Sequence, residues 1–417
     1  MIIAYYYPPN GTVAFLRNYH IVKYLKPYFK KINIITLKNI PLPLKDKIDI
    51  DSDKIHRVFN FDYRNMLNFL SGKKDIRKKA NEYTNKKRVR YTRSFLDNFP
   101  FNTIFGEGGV IYIITATIKG ISLIKKNKVS HIYSSYRPVS DHIIAYNLKL
   151  FFPDLIWIAD FRDPPIQKKV LIPVLKRLQS WFLKKLLSKP DIITSVSDGV
   201  TKSLRAFAPQ TITFRNGIYN LFEINKPRFN KFTISYTGSL YLNNQNPKPL
   251  FDALNSLLVQ GKIHENSIQI IYAGKDSGIW TKFMTHDNIK KISIIKHEIS
   301  LKESIELQHR SHINLLLTWS KENKTGILTG KFFEYLSTGN PVLTIITGKK
   351  DTEIENFFTY YNCGKIFYPQ DTEKLEQYIY KYYRQWQIKR QLDFKSNEKL
   401  LKKLQWENQI KKLVYLL

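Results

Sequence analysis

Cysteine is nearly absent from this 417-residue chain. Cys363 stands alone, so no disulfide can form within the chain, which fits a reducing compartment. No set of Cys and His residues has the spacing of a zinc site. The phosphate loop GxxxxGK[ST] is not matched around Lys331, because Gly326 stands only four before Gly330 and Phe332 replaces the hydroxyl residue. No GxSxG elbow occurs either. These absences set aside structural zinc, P-loop hydrolysis and the α/β-hydrolase class. They leave an expectation of chemistry with no metal and no cofactor.

Long apolar runs are missing too. The longest, GVIYIITATIKGISLI (109–124), is interrupted by Lys119 and falls short of the roughly 18 apolar residues of a spanning helix. The opening MIIAYYYPPN has no basic leader and no cleavage site, so neither a signal peptide nor a transmembrane segment is expected. Acidic residues are scarce: 34 against 67 basic ones give a net charge of +33. Such a balance favours nucleic acid, an anionic membrane or phosphorylated substrates, unless it is only a lysine-rich composition spread over solvated faces. Nucleic acid is disfavoured, since no reading module is recognisable and the aromatics lie in apparent strand cores. The segment from Lys73 to Arg93 holds ten basic residues and two acids just ahead of 109–124. A basic segment followed by an apolar one suits docking on an anionic bilayer.

Hydrophobic residues make up 43% of the chain and aromatics 14%, enough for real cores, and the length suggests two domains. Apolar runs at 32–37, 131–135, 155–161, 191–197 and 211–217 read as buried parallel strands. A second series follows at 232–238, 268–274, 292–297, 313–319, 341–346 and 365–368. Amphipathic stretches fill the gaps, as at 18–29 and 246–261. The pattern is α/β, with two Rossmann-like domains of parallel strands facing across a cleft. The expected division is 1–219, a linker at 220–231, and 232–417 ending in one long helix over 398–417.

Two glycine turns in the second half are candidate phosphate cradles: Gly238–Ser239 after a strand, and Gly330–Lys331 before a helix. A helix N-terminus offers free N–H groups, and Lys331 adds a full charge. Glu334, three residues on and on the same face, has the reach to bind a diol such as ribose. The plainer alternative is a surface helix with a Lys–Glu pair. In the first half, Gly11 with Arg17 forms the equivalent turn, or else a strand–helix turn with a surface arginine. Asp160 and Asp163 flank Arg162 at the end of an apolar run, a grouping able to steer a hydroxyl or stabilise developing positive charge. An Arg–Asp pair closing the strand end is the structural alternative. His142 is a candidate acceptor-side hydrogen-bonding group, although a lone helical histidine is more often structural.

In order along the chain stand YYYPPNGTVAFLR, YRPVSDH (136–142), IADFRDPP (158–165), SVSDG (195–199), RNGIY (215–219), YTGSL (236–240) and GKFFEYLSTGNPVL. Together they resemble the GT-B glycosyltransferases, specifically family 4, over nearly the whole chain. The resemblance implies a retaining enzyme that uses a nucleotide diphosphate sugar. It matches Glu334 to the second glutamate of a paired motif that holds the donor ribose. Two positions depart from the pattern. Gly326 stands where the first glutamate falls, and Ser239 follows Gly238 with no lysine before Lys248. Lys331 is then expected to carry the phosphate charge. The implied partners are a nucleotide sugar and a glycan or lipid-linked acceptor, in cell-surface glycan synthesis. The implied location is cytoplasmic, peripheral on the inner face of the membrane. A nucleotide-sugar 2-epimerase of the same architecture, or a non-catalytic sugar-nucleotide or polyanion binder, remains an alternative.

Overall fold

The structure is a computed structural model that describes residues 1–9, 14–38, 54–60, 99–106, 108–166, 173–219, 223–242, 244–322 and 325–417. Gly11, the basic segment 73–93 and residues 220–222 of the expected linker lie outside the described residues. Two compact units form: Met1–Arg215 with Ile410–Leu417, and Asn216–Gln409. The last eight residues, expected with the second half, thus group with the first.

The first unit runs β1 (Ile2–Ile3), α1 (Phe15–Leu25), β2 (Ile34–Leu37), β3 (Ile55–Val58), α2 (Phe101–Phe105) and α3 (Val110–Asn127). It continues through β4 (His131–Tyr136), α4 (Ser140–Phe151), β5 (Ile156–Phe161), α5 (Pro173–Leu186), β6 (Ile192–Ser195), α6 (Asp198–Leu204) and β7 (Ile212–Thr213). Its seven strands lie in the order β3-β2-β1-β4-β5-β6-β7, and every pairing is parallel. Trp157, Ala159 and Phe161 on one face of β5 and Ile158 and Asp160 on the other are buried, as a strand covered by helices on each side requires. Helix α4 packs on β4, β1 and β5, and is itself flanked by α3 and α5. Tyr5, Tyr112, Trp157 and Phe161 fill the core beneath these helices.

The second unit holds β8 (Phe232–Thr237), α7 (Lys248–Val259), β9 (Ile268–Ala273), α8 (Ser277–Lys282), α9 (Asp287–Lys291), β10 (Ser293–Lys296) and α10 (Leu301–Arg310). Then come β11 (Ile313–Ser320), α11 (Gly330–Ser337), β12 (Val342–Gly348), α12 (Thr352–Tyr361), β13 (Gly364–Phe367) and α13 (Thr372–Lys389). The sheet order is β10-β9-β8-β11-β12-β13, again parallel throughout. Side-chain caps mark several helix starts. Ser300 and Glu303 close a capping box on α10, and Asp351 accepts from Ile354 N at the head of α12. Tyr236, Tyr272 and Trp280 stack in the core, with ring centroids 4.8–5.9 Å apart.

The single helix expected over 398–417 is two: α14 (Glu398–Lys402) and α15 (Trp406–Val414). Ile218 interrupts it. Its N–H donates to Leu404 O at 2.8 Å and its carbonyl accepts from Trp406 N, so the chain at 403–405 bonds to Ile218 where it would otherwise continue the helix.

Candidate active site

Both sheets reverse strand order once, between β1 and β4 in the first and between β8 and β11 in the second. Ligands of open parallel sheets bind beyond the strand C-termini at such a switch point. In the second sheet, the chain leaving β8 is Gly238–Ser239, and the helix that follows β11 is α11, which starts at Gly330–Lys331.

Gly238 has φ +101°, a conformation that disfavours any side chain. A Cβ placed there would lie 2.9 Å from Cε and Nζ of Lys331, so the bare turn gives the lysine its place. The half-buried ammonium sits 4.1 Å above the Tyr236 ring. Burial pushes Lys331 down to about 8, against the opposing fields of Glu334 and Asp276. Thr329 at the N-cap of α11 makes no side-chain hydrogen bond to the helix, and the first turn holds no acid. The positive end of the helix dipole and the lysine therefore act in one place.

Glu334 is buried on the inner side of α11. Its Oε1 accepts from the Tyr219 hydroxyl at 2.9 Å and its Oε2 from Gln308 Nε2 at 3.1 Å. Gln308 Nε2 also donates to Thr237 Oγ1 at 3.0 Å, tying Glu334 to the end of β8. Each carboxylate oxygen keeps acceptor capacity beyond these bonds. The alternative of a surface Lys331–Glu334 pair is corrected: no ion pair joins them among the described residues, because Glu334 turns inward to Tyr219 and Gln308. Gly326 adopts φ +67°, its N–H donates to Asp351 Oδ2 at 2.9 Å, and the Glu353 carboxylate fills the space a Cβ would need.

In the first unit, the expected grouping of Asp160, Arg162 and Asp163 does not assemble. Asp160 is buried and paired with Arg17: Nε donates to Oδ2 at 2.8 Å and Nη2 to Oδ1 at 2.7 Å. Thr194 Oγ1 adds a bond to Oδ1 at 2.7 Å. Burial alone would raise the Asp160 carboxyl, but Arg17 and its other donors outweigh that and hold it below the usual range. Arg17, expected either as a cleft-facing cradle residue or at the surface, is therefore an internal counter-ion. It also donates to Phe214 O at 2.8 Å.

Among the described residues the Arg162 guanidinium hydrogen-bonds backbone carbonyls, of Ala14, Tyr136 and Arg137, and so fastens the chain leaving β4. Asp163 is exposed. His142 is fully buried between Tyr136 and Phe161, with Nδ1 2.7 Å from Ser134 Oγ and Nε2 unpartnered. Burial drives its pKa to about 3, so it is a neutral core residue and not an exposed acceptor contact. Asp141 beside it carries the more perturbed acid. It accepts from Tyr5 N at 2.9 Å and Tyr112 Oη at 3.0 Å, and burial lifts its pKa to about 7 despite those donors. Among the described residues no three His, Cys, Asp or Glu side chains gather as metal ligands, and no helix is long and apolar enough to cross a membrane.

No protein-family model matches the chain, and no curated protein matches it by sequence. Solved structures do match over its full length. A sucrose-phosphate synthase from Thermosynechococcus elongatus is 11% identical at a TM-score of 0.54, covering 100% of this chain and 94% of that one. A UDP-forming α,α-trehalose-phosphate synthase from Burkholderia xenovorans, in complex with glucose-6-phosphate, is 10% identical at 0.59, covering 99% and 98%. An E. coli trehalose-6-phosphate protein bound with UDP-2-fluoro glucose is 10% identical at 0.57, covering 99% and 97%. The fold is GT-B.

On the GT-B frame, the β8 turn and the start of α11 lie side by side, with Lys331 over Gly238. Sequence reasoning missed Tyr219 and Gln308, which fix Glu334. Tyr219 lies inside the quoted RNGIY motif, but no local signal ties a residue 115 positions away to Glu334. Asp141 was likewise passed over for its neighbour His142.

Proposed function

We propose that the chain is a glycosyltransferase of the family 4 type, moving a sugar from a nucleotide diphosphate sugar to a glycan or lipid-linked acceptor with retention. The observation that carries this reading is Lys331, held over the Gly238 turn at the uncapped start of α11. The second unit then takes the donor and the first presents the acceptor. As the glycosidic bond to the leaving diphosphate breaks, Lys331 and the N–H groups at 330–331 absorb the charge that develops on it. Glu334, fixed by Tyr219 and Gln308, offers its remaining lone pairs to the ribose hydroxyls. Asp163, exposed beyond β5, is the acid left free to meet the acceptor hydroxyl, while Arg162 sets the backbone around it. The resemblance supports placement in cell-surface glycan synthesis. The basic segment 73–93 and the exposed row Val110, Ile111, Ile114 and Ile118 on α3 support a cytoplasmic enzyme peripheral to the inner membrane face.

Thermal stabilisation by a panel of nucleoside diphosphates and their sugars tests the donor reading. A binding nucleotide should raise the melting temperature, and Glu334→Ala should weaken it by about 1–3 kcal/mol, the scale of lost hydrogen bonds. Equal affinity in Glu334→Ala would refute the ribose assignment.

A further inference from the structure

Helix α5 was not singled out by its sequence, yet its surface is unusual for this chain. Val174, Leu178 and Trp181 are 68%, 44% and 60% exposed. Spaced four and three apart, they form one stripe along the helix. Only Leu183 and Leu186 of the helix are buried, so the stripe is not the face that joins the core. Of the six tryptophans, Trp181 alone is largely exposed.

The charges around the stripe have one sign. Lys176, Arg177, Lys184 and Lys185 are all exposed, and Lys189 follows directly. From Pro164 to Pro190 the chain contains no Asp or Glu. Arg177 and Lys184 line one side of the stripe, and the Lys185 ammonium lies 5.6 Å from the Trp181 ring centroid. No carboxylate pairs with these cations among the described residues. Helix α3 flanks the same α4 and carries the exposed row at 110–118, so one helical layer of the first unit bears two apolar rows.

We propose that α5 is a docking surface for an anionic lipid bilayer, with Val174, Leu178 and Trp181 entering the headgroup–acyl boundary and the flanking lysines and Arg177 meeting lipid phosphates. An apolar stripe with a tryptophan, edged by Arg177 and Lys184 and by no acid, is the chemistry of an interfacial helix. A second copy of the chain fits poorly, because self-docking would place Lys and Arg against Lys and Arg. The inference rests on the peripheral-membrane reading but names a surface that can fail alone.

The test is vesicle flotation at low and high salt, with vesicles of phosphatidylcholine containing about a third phosphatidylglycerol and brominated acyl chains as quenchers. Wild-type protein should float at low salt with its tryptophan emission quenched. Trp181→Phe should still float but lose most of the quenching. Leu178→Asp with Val174→Asp should lower binding at least tenfold at an unchanged melting temperature, since both side chains are exposed. Arg177→Glu with Lys184→Glu should weaken binding to anionic vesicles only. Flotation without quenching, or flotation unaffected by the aspartates, would overturn the α5 assignment and leave the peripheral reading standing. Failure of the wild type to float at low salt would overturn both. So would a dimer in solution that dissociates on Trp181→Glu while the wild type ignores vesicles.

Discussion

If Lys331 binds the donor diphosphate, its depressed pKa imposes a pH dependence on binding. Burial brings the free lysine to about 8, whereas an unburied lysine titrates near 10.4. A diphosphate beside the ammonium raises that value again, and the nucleotide's own phosphates are already ionised above neutral pH. Above about pH 8 the complex therefore holds a proton that the free protein has released. Affinity must fall as pH rises, approaching tenfold, or about 1.4 kcal/mol, per pH unit until the bound lysine also titrates. Below pH 8 both states are protonated and the curve is flat. Lys331→Met keeps much of the stem over Tyr236 and removes the charge. It should bind about 10–100-fold more weakly at pH 7, the loss of one charge-assisted hydrogen bond, and its affinity should not respond to pH between 7 and 10. Calorimetric titration in buffers of different ionisation enthalpy reads the proton uptake directly. A wild type with no proton uptake at pH 9, or a Lys331→Met variant that binds as tightly as wild type at pH 7, would refute the reasoning.

Gly238→Ala should weaken nucleotide binding more than tenfold, because the new methyl would occupy the Lys331 position and φ +101° disfavours alanine; retained affinity would show that the turn does not set the lysine. Arg17→Met leaves Asp160 buried without its counter-ion and should lower stability by about 3–5 kcal/mol in denaturant unfolding. A change under about 1 kcal/mol would remove the structural role given to the pair. Asp141, at about 7 when folded against about 3.9 unfolded, holds a proton between roughly pH 4 and 7 that the unfolded chain has lost. Its contribution to stability thus falls as pH rises through that window, and the wild-type minus Asp141→Asn difference should slope downward by up to about 1.4 kcal/mol per unit; a flat difference would contradict the burial argument.

The strands were legible because buried parallel strands need continuous apolar runs, and those runs at 155–161, 232–238 and 313–319 stand out in any window. One strand escaped that test: β3, whose Ile-His-Arg is half-exposed. The turn at Gly238 and the glycine–lysine start of α11 were legible for a similar reason, since backbone freedom and helix starts are written in a few adjacent residues. What the side chains at those places pair with was not. Arg17 reaches Asp160 across 143 positions, and Tyr219 reaches Glu334 across 115. Arg162, flanked in sequence by two acids, bonds carbonyls instead. The closing helix broke at a bond to Ile218, some 190 residues away in sequence, that no local periodicity announces. Local pattern marks the apolar runs that become core strands and the turns that end them. A buried charge, which is unfavourable unless matched, takes its partner from whatever the packed sheets bring within hydrogen-bond distance, and only the tertiary structure decides that.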